Sequence, residues 1–179
     1  MQRLFAGWRM KYVKGAHRQS GKGRCLFCRL GRSGDDAERW ILRRARSAFL
    51  VLNAFPYNSG HLMVAALRHV GRLGDLTAAE CRDLLDLAAV AERALEQAYG
   101  PDGMNLGINL GRAAGAGVDG HLHLHLVPRW SGDTNFMTSV GDTKVLPEDL
   151  ADTYERLLEA LRPPRRQPIR RAKRVSTRA

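Results

Sequence analysis

The sequence is short of several things, and each shortage removes a class of protein. No apolar run approaches the roughly 18 residues that cross a bilayer. The first residues, Met1-Gln2-Arg3-Leu4-Phe5-Ala6-Gly7-Trp8-Arg9, lack the apolar stretch and small-residue cleavage site of an export signal. Cysteine is scarce: Cys25, Cys28 and Cys81 are all there is, and an odd count without an export signal argues against a disulfide framework. A soluble cytoplasmic protein that does not engage membranes is expected. No internal repeat is visible, and no carboxylate pair or magnesium signature stands out. Acidic residues are in deficit, 18 against 29 Lys and Arg, for a net charge of +11. Much of the excess follows the last helical pattern: Arg162, Arg165, Arg166, Arg170, Arg171, Lys173, Arg174 and Arg178, among Pro163, Pro164 and Pro168. Such a tail has too little apolar content to fold alone. It is either a solvated appendage or a contact for nucleic acid or acidic surfaces.

What the chain does have is Gly120-His121-Leu122-His123-Leu124-His125-Leu126-Val127-Pro128-Arg129-Trp130. Side chains alternate across a strand, so His121, His123 and His125 are expected on one face and Leu122, Leu124 and Leu126 on the other, against a core. Desolvating three imidazoles together is unfavourable unless something uses them. The pattern points to covalent catalysis or to metal binding.

The length suits one domain with tails. Residues 1–39 read as an N-terminal arm carrying the Cys25–Cys28 knuckle, 40–162 as the catalytic domain and 163–179 as a disordered basic tail. Trp40–Arg43, Ala48–Leu52, His61–Ala65 and Met104–Leu110 read as strands, the second apolar enough to be buried on both faces. The loop of about eight residues after Leu52 makes its flanking strands antiparallel neighbours. A helix is expected from the capping box Thr77-Ala78-Ala79-Glu80 to Tyr99-Gly100, its apolar face formed by Cys81, Leu84, Leu85, Ala88, Ala91 and Leu95. A second is expected to open at Val145–Leu150, with Pro147 in its first turn, and to run to about Leu161. Hairpins with helices between them give an α+β fold on an antiparallel sheet.

Gly115-Ala116-Gly117-Val118-Asp119-Gly120 matches G-x-G-x-x-G, yet a strand follows it where a dinucleotide fingerprint needs a helix. Its glycines still let main-chain N–H groups approach an anion. Cys25-x-x-Cys28 has zinc spacing but needs two more ligands, for which His17, His61, His69 and the triplet are available.

His-x-His-x-His followed by apolar residues resembles the histidine triad superfamily of nucleotide hydrolases and transferases. Leu52-Asn53, Pro56–Val64, Arg68-His69-Val70, Gly107–Gly111 and Pro128-Arg129-Trp130-x-Gly132-Asp133-x-Asn135-Phe136 extend the likeness to the branch containing bacterial diadenosine tetraphosphate phosphorylases. The resemblance implies a five-stranded antiparallel sheet with two main helices, paired as a homodimer. It implies cleavage of dinucleoside polyphosphates through a nucleotidylated His123, with phosphate or water as acceptor. His125 and His61 would contact phosphates or leaving group, Asn53 the ribose, and Asn109, Gly115 and Gly117 the phosphates. Trp130 is a further candidate for substrate binding. Zinc, where present, would be structural and held by Cys25, Cys28, His69 and His121, with no catalytic metal required. One departure is plain: family members commonly carry a hydroxyl or amide just before the triplet, where this chain has Gly117-Val118-Asp119-Gly120. Competing readings are a nucleoside phosphoramidate hydrolase, a metal-dependent hydrolase using the triplet as ligands, and a nucleic-acid-binding protein acting through its tail.

Overall fold

The computed structural model describes residues 25–133 and 148–163. The expectations for the rest of the arm, for Pro147, for Asn135-Phe136 and for the basic tail lie outside these residues. Five strands form one antiparallel sheet: β1 (Ile41–Arg44), β2 (Ala48–Leu52), β3 (Leu62–Ala66), β4 (Gly103–Ile108) and β5 (His123–Arg129), in the order β1-β2-β3-β5-β4. Among the described residues three α-helices accompany them, against the two main helices expected: α1 (Leu26–Arg32), α2 (Ala78–Tyr99) and α3 (Leu150–Ala160). None is long and apolar enough to cross a membrane.

The sheet has two covered faces. On one, Leu50, Leu52, Leu62, Val64, Leu122, Leu124 and Leu126 pack with Leu84, Ala88, Ala91 and Leu95 of α2 and Leu157 of α3. On the other, Phe49, Val51, Met63 and Ala65 pack with Cys25, Phe27, Cys28 and Leu30 of the α1 segment. Both faces of β2 and β3 are therefore buried, as the apolar run of β2 requires. Each fully buried leucine of the larger core contributes roughly 1.5–3 kcal/mol.

The helix ends follow local chemistry. Thr77 and Glu80 form the expected capping box of α2, and Gly100 closes the helix in the left-handed region at φ 52°. The apolar stripe is turned about the helix axis from the expected one, with Leu87 and Ala94 in place of Cys81 and Leu85. Leu85 is 62% exposed and Cys81 is half-buried, because Leu84, Leu87, Ala88, Ala91, Ala94 and Leu95 define the stripe and the other two flank it. Likewise α3 begins at Leu150, later than expected, because Asp149 accepts from the N–H groups of Ala151 and Asp152 and caps it there. Gly60 is obligatory: its φ is +76°, and a Cβ would lie 3.0 Å from Leu95 and from Tyr99. That tight turn delivers His61 to the start of β3.

Candidate active site

Strand alternation puts His123 and His125 on the α1 face of β5, with Leu122, Leu124 and Leu126 opposite in the main core. His121 lies just before the strand. Register aligns His123 with Ala65, and His125 with both Met63 and Gly107. Phe27 of α1 packs on His123, ring centroids 4.7 Å apart, and on His121 at 5.3 Å. His123 is consequently only 4% exposed. Burial pushes its pKa below the ordinary imidazole range, partly opposed by a hydrogen bond to the main chain.

That hydrogen bond is specific. Nδ1 of His123 lies 2.8 Å from the carbonyl oxygen of His121, an acceptor only, so Nδ1 carries the proton. Nε2 is then left with its lone pair, the state a nucleophile needs.

A second pair stands beside it. The main-chain N–H of Tyr57 donates to Nδ1 of His61 at 3.1 Å, and the Asn53 amide leans on the same ring at 3.3 Å. His61 Nδ1 is thereby an acceptor, so its Nε2 bears hydrogen and donates to Nδ1 of His125 at 2.9 Å. The neutral His125 must then carry its own proton on Nε2, a donor for a substrate oxygen. Tyr57 covers the pair, its ring 4.6 Å from His61 and nearly parallel to His125 at 6.0 Å.

The four sulfur and nitrogen donors of Cys25, Cys28, His69 and His121 all lie within 4.8 Å of one another and could hold a metal ion. Cys25 Sγ is 3.3 Å and Cys28 Sγ 3.6 Å from His121 Nδ1. Cys28 Sγ is 3.2 Å from His69 Nδ1, and the two Nδ1 atoms are 3.3 Å apart. A tetrahedral zinc with sulfur at about 2.3 Å and nitrogen at about 2.0 Å sets S···N near 3.5 Å and N···N near 3.3 Å. The cluster matches those spacings. His121 Nε2–H donates to the Ala66 carbonyl at 2.7 Å, turning the Nδ1 lone pair inward, and burial pushes its pKa down to about 4.

The remaining expected residues are distributed around this centre. Asn53 is buried, its Oδ1 accepting from the Phe55 N–H, at a cavity of ≈ 380 Å³ shared with His61, Ser59, Asp149 and Thr153. Asn109 joins His125 in a second cavity of ≈ 280 Å³. Gly115 (φ 87°) ends the short 3₁₀ turn Arg112–Ala114, and the following Val118 packs against the Phe27 cluster, which carries the Gly115–Gly117 loop beside the histidine face. Trp130 is not brought there: its ring meets Tyr99 at the end of α2, 6.3 Å away.

Two features escape the sequence pattern. Phe27 reads as an ordinary apolar residue between two cysteines, although its position in C-x-x-C ties it to any metal site. Asp133 accepts from Asn58 at 2.7 Å and Arg129 at 2.5 Å, clamping the Tyr57–Gly60 loop to the end of β5, and the Arg129 guanidinium holds its carboxyl below the usual range. Only the Gly132-Asp133 turn hints at this.

Known proteins match this arrangement. The HIT domain family model covers residues 37–132, more than half the chain. The AP-4-A phosphorylase of Mycobacterium tuberculosis (strain ATCC 25618 / H37Rv) is 40% identical over 158 residues, 86% of this chain and 80% of that protein. The asymmetrical bis(5'-nucleosyl)-tetraphosphatase of Schizosaccharomyces pombe is 32% identical over 93 residues, 52% of this chain and 50% of its own. A Zn-bound histidine triad family protein from Mycobacterium smegmatis superposes with a TM-score of 0.63 at 26% identity, covering 79% of this chain and 95% of that one. With such a match in sequence and in fold, the chain belongs to the HIT domain family.

Proposed function

We propose that the protein cleaves dinucleoside polyphosphates of the diadenosine tetraphosphate type, passing a nucleotidyl group through His123 to phosphate or water. The observation that carries this reading is the proton placement: His123 Nδ1–H bound to the His121 carbonyl, which leaves the lone pair on Nε2, beside the His61–His125 pair. The names of the relatives support the substrate class. In the first step Nε2 of His123 attacks the α-phosphorus and forms an N–P bond. The P–O bond to the remaining polyphosphate breaks, its electron pair leaves with the polyphosphate anion, and His125 Nε2–H steadies the departing oxygen by a hydrogen bond. In the second step an oxygen of phosphate or water attacks the same phosphorus and the N–P electrons return to His123; a phosphate anion brings no proton that must be removed, and the proton lost by an attacking water passes to solvent. Asn53 would hold the ribose, while Asn109 and the N–H groups of Gly115 and Gly117 would take the phosphate oxygens in place of the hydroxyl this chain lacks.

Zinc held by Cys25, Cys28, His69 and His121 would be structural, tying the α1 segment to β5 and so seating Phe27 on His123. The donor spacings support it, as does the Zn-bound relative from Mycobacterium smegmatis. A homodimer is part of the same reading: β4 is an edge strand whose residues are mostly exposed, including Leu106 at 49%, and an uncovered edge invites pairing. Incubation with diadenosine tetraphosphate, with and without phosphate, tests the activity. ADP plus ATP appearing only with phosphate means phosphorolysis; AMP plus ATP, or ADP alone, without phosphate means hydrolysis. Intact substrate in both arms rejects the reading.

A further inference from the structure

The second cavity contains groups that the reaction above leaves unused. Its walls include Tyr57, Asn58, Asn105, Asn109, His125 and Arg129. Register places Gly107 opposite His125, Asn105 opposite Val127 and Gly103 opposite Arg129, so all of these share the face that carries His123. Arg129 lies roughly 13 Å along the strand from His125, at about 3.3 Å per residue. Gly107 has no side chain, and a Cβ there would meet nothing within 4 Å. The floor therefore stays low between the histidine and the amide of Asn105, and the cavity is a trough leading from His125 to a guanidinium.

We propose that this trough binds the leaving half of the substrate, with Arg129 the specificity-determining contact for its phosphates and Asn105 its partner; this rests on the nucleotidyl-transfer reading. The sheet order points the same way. Asn53 follows β2, the reactive histidines stand on β5, and β4 is the last strand. A substrate with one nucleoside near Asn53 and its α-phosphorus at His123 already occupies the β2 side. In-line displacement sends the departing oxygen away from the nucleophile, and with the β2 side taken by the first nucleoside the side left open is that of β4.

The donors waiting there are held in position. Asp133 takes Nε and Nη2 of Arg129 at 2.5 and 2.9 Å, and Asn105 Oδ1 accepts from Nη1 at 2.9 Å. A guanidinium has five N–H groups, so two remain without a partner among the described residues, on a side chain that is 46% exposed. Because the carbonyl end of Asn105 faces Arg129, its NH₂ end is the one available to a phosphate oxygen. Asp133 cancels the long-range field of Arg129, so the trough selects by short, oriented N–H donation rather than by net charge. A leaving group without phosphates gains nothing from it.

The test compares two substrates on the full chain: diadenosine tetraphosphate, and the p-nitrophenyl ester of AMP, whose leaving group has no phosphate. The readout is the ratio of their kcat/KM values in wild type, Arg129→Gln and Asn105→Ala. The ratio is expected to fall about tenfold in Arg129→Gln, the loss of one charge-assisted hydrogen bond, and about threefold in Asn105→Ala. A general disturbance of the site through Asp133 would lower both substrates together and leave the ratio at its wild-type value. An unchanged ratio in both variants, with wild type active on the tetraphosphate, overturns this inference alone. Wild-type protein that leaves the tetraphosphate intact overturns the functional reading, and this inference with it.

Discussion

A bond to a main-chain carbonyl decides which nitrogen of His123 can react, and a bond from a main-chain N–H does the same for His61. Neither depends on a neighbouring side chain, which is why the flanking positions of the triplet can be leucines serving the core. Chained through His61, the Tyr57 N–H determines where His125 carries its proton. The consequence can be measured. An amine leaves only when protonated, a step that calls on the cationic form of His125, whereas a polyphosphate departs as a stable anion. His125→Ala should therefore lower kcat on adenosine 5′-phosphoramidate by roughly 10²–10⁴-fold, a general acid's contribution, and lower it distinctly less on diadenosine tetraphosphate. Equal losses on both substrates would reduce His125 to a positioning group. The triplet was legible because strand alternation has a period of two and imidazoles are rare. The tautomers were not, because main-chain partners leave no mark on the residue pattern.

Among the elements, α1 shows where sequence reading stops. Its seven residues include Gly31 and have no side-chain cap at the N-terminus, so local propensity argues for a loop. What holds the helix comes from the sheet: Arg44 of β1 donates to the carbonyls of Leu30, Gly31 and Ser33 and pairs with Asp36. One guanidinium closes the C-terminal end of the helix that carries Cys28 and Phe27. Arg44→Gln should destabilise the protein by about 2 kcal/mol, or ~4–8 °C in melting temperature, whereas a change confined to a solvated arginine would lie within about 0.5 kcal/mol. At the other extreme, α2 was readable from end to end because its cap is local. Glu80 serves Thr77 and also pairs with Arg68, and the Arg68 hydrogen bond is the largest cause holding its pKa down to about 2, against an ordinary 4.5. A depressed carboxylate contributes stability that is fully present above about 4.5 and is lost as pH falls toward 2. The melting-temperature gap between wild type and Glu80→Gln should be constant at neutral pH and shrink through that window. A gap that does not change with pH would mean that the Glu80 charge contributes nothing.

At the scale of the whole molecule, the cluster of Cys25, Cys28, His69 and His121 joins α1, the segment after β3 and the approach to β5, three parts far apart in sequence. Its spacing was half legible: C-x-x-C marks a site, but His69 and His121 could be matched to it only through family likeness, since 41 and 96 residues separate the partners in contact. If zinc occupies it, binding adds folding free energy directly. Native protein purified without chelator should then contain one zinc per chain, and Cys25→Ser should lose the metal and melt on the order of 10 °C lower. Unchanged metal content and melting would return His121 to the reactive face. The fold itself followed from pattern, since five strands and the long helix each satisfy their own local rules. The trough between His125 and Arg129 did not, because it exists only once β4 lies beside β5. All of these features converge on one nitrogen atom, and the central claim is tested most directly by trapping it. Wild-type protein quenched in alkali during turnover of diadenosine tetraphosphate, where an N–P linkage survives, should carry one nucleoside monophosphoryl group by intact mass, mapped to His123, and folded His123→Ala should show neither adduct nor turnover. An adduct on another residue, or near-native turnover by His123→Ala, would contradict the account.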